Sequence, residues 1–249
     1  MGFVRLNRAP VRRVPTPVRL LLACEAALGG LYLLDWVAGH PSAQISHIVN
    51  LDGEANLPTW FSSMQLFALG LLVAASTGPT IKWRERRTWP VLAVVALFIA
   101  MSLDEVAQIH EWFAVRGERL LFGSTQKAMR SVLPNTGLWM VFAAPPFIAT
   151  FVLLWRRVRR TLGVQHAVAQ KYLLGFAVFT GSAFGMEFVA NFATPGALSG
   201  VLAVVCEELG EMAGVTILIS ATLDLLAARR PHIAYRPKVH PPEYVARVS

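Results

Sequence analysis

Ser102-Leu103-Asp104-Glu105-Val106-Ala107-Gln108-Ile109-His110-Glu111 continues Val91-Leu92-Ala93-Val94-Val95-Ala96-Leu97-Phe98-Ile99-Ala100-Met101, a run without a polar side chain. Read as one helix, residues 89–113 rise far enough, at about 1.5 Å per residue, to cross a hydrocarbon core of roughly 30 Å. Three carboxylates and an imidazole then fall in the second half of a membrane span. A charge at such depth costs roughly 2.5–3.5 kcal/mol on insertion scales, so it is usually retained for a function.

The rest of the chain has the same character. Of its 249 residues, 55% are hydrophobic and 15% charged, and the mean hydropathy is +0.50. A soluble domain carries about a quarter charged residues. The apolar residues come in long blocks, unlike the short alternating segments of a membrane β-barrel. The expected fold is all-α: a polytopic transmembrane bundle of six spans, at about 18–38, 60–78, 89–113, 135–155, 170–192 and 199–227. A basic segment, 1–17, precedes the bundle of 18–228, and a Pro- and Arg-rich tail, 229–249, follows it. Leu21-Leu22-Ala23-Cys24 resembles a lipoprotein cleavage box, but Arg19 leaves too short an apolar run before it, so an uncleaved first span is expected.

The net charge of +8 does not point to nucleic acid, because the basic residues sit between the apolar runs. All but Arg116, Arg119, Lys127 and Arg130 fall on one side of the predicted topology. The positive-inside rule therefore predicts both termini cytoplasmic, in a bacterial-type inner membrane. Tryptophans at the predicted span ends, such as Trp36, Trp60, Trp112 and Trp139, fit an aromatic belt. Cys24 and Cys206 lie in apolar runs and read as core packing rather than a disulfide or thiolate site.

Placed by depth, the acids converge. Asp104, Glu105 and Glu111 on span three, Glu187 on span five, and Glu207, Glu208 and Glu211 on span six all fall in outer halves. Asp52 and Glu54 lie in the first outer connection, in Asn50-Leu51-Asp52-Gly53-Glu54, a stretch with turn chemistry. Asp104, Gln108 and Glu111 form one stripe of span three, and Thr180, Glu187 and Asn191 another on span five. Glu25 and Asp224 lie on the inner side, where snorkelling or local pairing is expected. His40 and His47 read as surface residues. Gly181-x-x-x-Gly185 and Gly210-x-x-x-Gly214 offer close helix approach.

No lysine or arginine falls in an outer half-span, so protons or a metal ion are left to neutralise these acids. The expected metal ligands are Asp104, Glu105, His110, Glu111, Glu187, Glu207, Glu208, Glu211, Asp52 and Glu54. The expected metal is a divalent ion (iron, manganese or zinc), and Asp104, Glu105 and Glu111 are the expected acid–base groups. The Glu-x-x-His pair of di-iron bundles is missing. No Walker, Rossmann, nucleophile-elbow or His-Glu-x-x-His motif occurs, so no nucleotide cofactor is indicated.

The leading expectation is a metal-dependent membrane enzyme, hydrolytic or redox, on a lipid-like or membrane-soluble substrate. Its partners would be membrane lipid and a homo-oligomer or larger membrane complex, with no nucleic acid. The alternatives are a proton- or cation-coupled transporter or channel-like protein, and a non-catalytic subunit. Against transport, no internal repeat is present.

Overall fold

Caps and prolines set where the helices begin. The computed structural model describes residues 14–77, 85, 86, 88–109, 112, 116, 138–194 and 196–229, with the side chains at 138–143 and 187 left aside. Helix α1 (Thr16–Val37) opens on Pro15 and Pro17. Ser42 caps the short α2 (Ala43–Val49) by accepting from the Ile45 N–H. Asn56 caps α3 (Leu57–Ser76), accepting from the Thr59 N–H at 3.1 Å. Side-chain acceptors at these positions satisfy donors that a helix start leaves open.

Helix α4 covers Trp89–Ala107, and α5 (Leu138–Leu162) carries Pro145 and Pro146 inside it. Helix α6 (His166–Thr180) widens to π pitch over Gly181–Met186 and tightens again as α7 (Glu187–Ala190). The longest helix, α8 (Leu198–Arg229), packs against α1, α3 and α6, while α4 packs against α3 and α5. The described residues form helices and connecting turns, with no strand.

Four helical stretches are long and apolar enough to cross a membrane: Thr16–Val37, Leu57–Ser76, Trp89–Ala107 and His166–Ala190. The surface agrees with a membrane protein. Leu20, Leu31, Leu34, Phe67, Leu71, Leu92 and Leu173 face outward, whereas Glu25, Gln65, Thr216, Ser220 and Thr222 are buried. Water would favour the reverse arrangement, and lipid favours this one. The stretches expected as the fourth and sixth spans are helical, as α5 and α8, but neither is among these four.

The main core joins α3, α4, α5, α6 and α8 around Leu69, Val91, Phe98, Phe151, Phe176 and Leu218. Phe151 stacks on Phe176 with ring centroids 3.4 Å apart and planes 3° from parallel. A smaller cluster of Leu28, Leu51 and Met212 joins α1, the first connection and α8.

Several expectations need correction. Helix α4 stops at Ala107, because Gln108 adopts a left-handed backbone, φ 54°. A non-glycine residue there interrupts the helical path. Asp104 and Gln108 therefore do not lie on one uninterrupted helical stripe, and Glu111 is outside the described residues. The Thr180–Glu187–Asn191 stripe is likewise broken, because the π turn adds a residue to the helical period. Gly210 and Gly214 do make a close approach, to Ser182 and Phe179, but Gly181 and Gly185 face open space. The glycine that meets Gly214 is Gly175. Cys24 and Cys206 are exposed rather than packed in the core.

Candidate functional site

The first connection is built, not loose. Asn56 Nδ2 donates to the carbonyls of Asn50 (2.6 Å) and Gly53 (2.7 Å), and Thr59 Oγ1 donates to Gly53 O at 3.1 Å. The Asp52 N–H donates to Asn50 Oδ1 at 3.2 Å. These bonds fix the turn that carries Asp52 and Glu54. Leu51, buried in the smaller core, anchors it to Met212 of α8.

That turn forms one wall of a cleft of about 1010 Å³ between the end of α1, the α2 segment, the residues after α7 and the start of α8. Its acidic lining is Asp35, Asp52 and Glu207, with His40 and His47 beside them. Tyr32 and Trp36 supply aromatic surface, and Ala190, Gly196, Gly200 and Ala203 leave room. Asp35 is already engaged: His40 Nδ1 lies 2.7 Å from Oδ2, and Ser46 Oγ donates to Oδ1 at 2.8 Å. Asp52 is exposed on the wall of the cleft. Even so, the protein around it pushes its carboxyl above the ordinary carboxylate range, since a charge there loses hydration.

Beside the cleft stands Glu208, one residue on from Glu207 and turned about 100° around α8. The charges of Glu105, Glu207, Asp52 and Glu54 all act on it. Two different helices and a loop thus bring acids within Coulombic range of one another. Asp104 and Glu105 occupy the last turn of α4. The negative end of the helix dipole opposes a carboxylate there, so the dipole does not account for acids at this position.

The remaining expected ligands fare differently. Asp104 and Glu211 are half-buried on α4 and α8, and neither lines the cleft. His110 and Glu111 lie outside the described residues, as does the Glu187 side chain. Among the described residues, no three of His, Cys, Asp and Glu stand close enough together to hold a metal ion.

A second polar centre lies deeper. Gln65 Nε2 donates to Glu25 Oε1 at 2.8 Å and to Thr216 Oγ1 at 2.9 Å, and Thr216 Oγ1 donates to Glu25 Oε1 at 2.6 Å. Glu25, Gln65 and Thr216 are 4%, 2% and 1% exposed. Glu25 therefore does not snorkel, and depth along one helix could not reveal a partner 191 positions away. The signal available in the sequence was a glutamine, Gln65, in mid-span. Asp224 does pair locally, with Lys171 Nζ at 2.9 Å.

No curated protein and no solved structure matches the chain. Residues 18–226, running from near the start of α1 almost to the end of α8, match the family model described as a domain of unknown function, DUF8692, and the chain belongs to that family.

Proposed function

We propose that this protein binds a positively charged ligand in the cleft and exchanges it for protons held among the neighbouring acids. The observation that carries this reading is Glu208, placed in the combined field of Glu105, Glu207, Asp52 and Glu54 beside a cleft lined by Asp35, Asp52 and Glu207. Carboxylates at such spacing cannot all ionise cheaply, so they share protons until a cation replaces them. Two sources share this chemistry: a divalent metal ion, and the cationic head of a membrane-soluble, lipid-like molecule whose apolar part meets Tyr32 and Trp36.

Proton- or cation-coupled transport is the fuller reading we favour, because another acid, Glu25, is buried further along the same bundle. Metal-assisted catalysis would have to draw on His110, Glu111 or Glu187. We place the protein in a bacterial-type inner membrane with six spans and both termini cytoplasmic; cysteine labelling of each connection in intact cells tests that topology.

Titration calorimetry on the full chain in detergent, with manganese, zinc and tetramethylammonium, tests the ligand. Binding that weakens at least tenfold in a Glu207→Gln, Asp52→Asn double variant is expected. A metal signal alone selects the ion, and an ammonium signal selects the cationic head. Equal affinity in the double variant and the parent would remove the cleft as the site.

A further inference from the structure

The Gln65 amide leaves one polar atom of the buried centre unsatisfied. It has two N–H donors and one acceptor oxygen. Both N–H groups are spent, on Glu25 Oε1 and on Thr216 Oγ1, and the Thr216 hydroxyl is spent on Glu25 Oε1 as well. Gln65 Oε1 is buried and finds no donor. Turning the amide over would not help, since it would remove both N–H bonds and set its oxygen against the carboxylate. Buried acceptors are seldom left in this state.

We propose that Glu25 is a proton-binding site, with the proton on Oε2 donated to Gln65 Oε1. Two donors already converge on Oε1, which marks it as the carbonyl-type oxygen and leaves Oε2 for the hydrogen. An amide and a carboxylic acid then close a two-bond ring, and every polar atom of the amide is satisfied. The reaction is Glu25–COO⁻ plus H⁺ giving Glu25–COOH, with no electron transfer. Glu25 is the tenth residue of the 22-residue α1, a helix long and apolar enough to cross a membrane. Loss of the proton would set a carboxylate against Gln65 Oε1 and loosen the tie among α1, α3 and α8.

Few other titratable groups face this site. Helix α3 carries none. On α8 the nearest are Glu211, five residues toward the cleft, and Asp224, which is paired with Lys171. On α1 they are Arg19, whose guanidinium donates to Thr16 Oγ1 at the exposed start of the helix, Cys24, which is exposed, and Tyr32 and Asp35 at the cleft. Helix α2 has only His47, also at the cleft.

The inference deepens the proton-coupled reading but is tested apart from it. Infrared difference spectra of the full chain in nanodiscs compare the parent with Glu25→Gln. The parent should show a protonated-carboxyl stretch that shifts in D2O, fades on adding alkali and is absent from the variant. Glutamine reproduces the bonds of the neutral acid, so Glu25→Gln should melt at or above the parent's temperature. No band difference, or a variant that melts lower or does not fold, overturns the proposal. So does sodium-dependent stabilisation of the parent that Glu25→Gln loses, which would assign the site to a metal cation. Calorimetric binding at the cleft plays no part in these outcomes.

Discussion

The bundle holds acids in two ways. At its centre, Glu25 is clamped by Gln65 and Thr216, with distances of 2.6–2.9 Å and almost no exposure. At the cleft, Glu208 stands among four other carboxylates that act on it through space. The first arrangement satisfies a charge or a proton with fixed partners and favours one state. On the proposed reading the second sets acids against one another for protons, which makes occupancy sensitive to what arrives. A clamp suits holding, and a crowded field suits exchange.

This contrast can be broken, or sharpened, in steps of decreasing size. Gln65→Leu leaves Glu25 and the Thr216 hydroxyl without their amide, and should lower the unfolding free energy by about 3 kcal/mol in a denaturation series. A negligible loss would mean that the centre is no clamp. Glu208→Gln should do the opposite, raising stability by about 1 kcal/mol by removing one ionisable group from the crowd. Destabilisation there would show that Glu208 is held by bonds, as Glu25 is.

Asp52 gives the comparison a pH axis. Its carboxyl is raised by the hydration it loses to the surrounding protein, so cation binding should strengthen as pH climbs through a range above the ordinary carboxylate value and fade as pH falls. For folding the sign is reversed. The folded state holds that proton more tightly than the unfolded chain, so the contribution favours the fold at low pH and is lost as pH rises. Asp52→Asn should flatten both curves, and calorimetry across pH checks the first. The smallest effect belongs to Asp35→Asn, about 1 kcal/mol or less, because its partner His40 is 55% exposed. A larger loss in melting would make the Asp35–His40–Ser46 contact part of the scaffold.

The fold class was legible because lipid imposes blocks of apolar residues, and six such blocks were counted where the described residues hold four that meet the spanning criteria. Helix ends were less legible. Gln108 is a good helix former by propensity, and only its left-handed backbone reveals the break that ends α4 just after Asp104 and Glu105. The cleft acids Asp52 and Glu207 could be placed by depth, since topology sorts residues along the membrane normal. Depth says nothing of azimuth, so it could not tell that Glu207 lines the cleft while Glu208 does not. Nor could it find Glu25, whose partners come from helices far away in sequence and whose burial depends on how α1 is rotated.

The π turn at Gly181–Met186 has an evolutionary corollary. A widened turn of this kind is what remains when one residue is inserted into a regular helix and the surroundings hold both ends in register. Removing one residue from it should therefore restore a plain helix and turn α7 by roughly 100°. Most one-residue deletions inside a packed helix are ruinous. This stretch is the place where the chain has slack to give one up, and so the place where relatives of different length can be expected to differ.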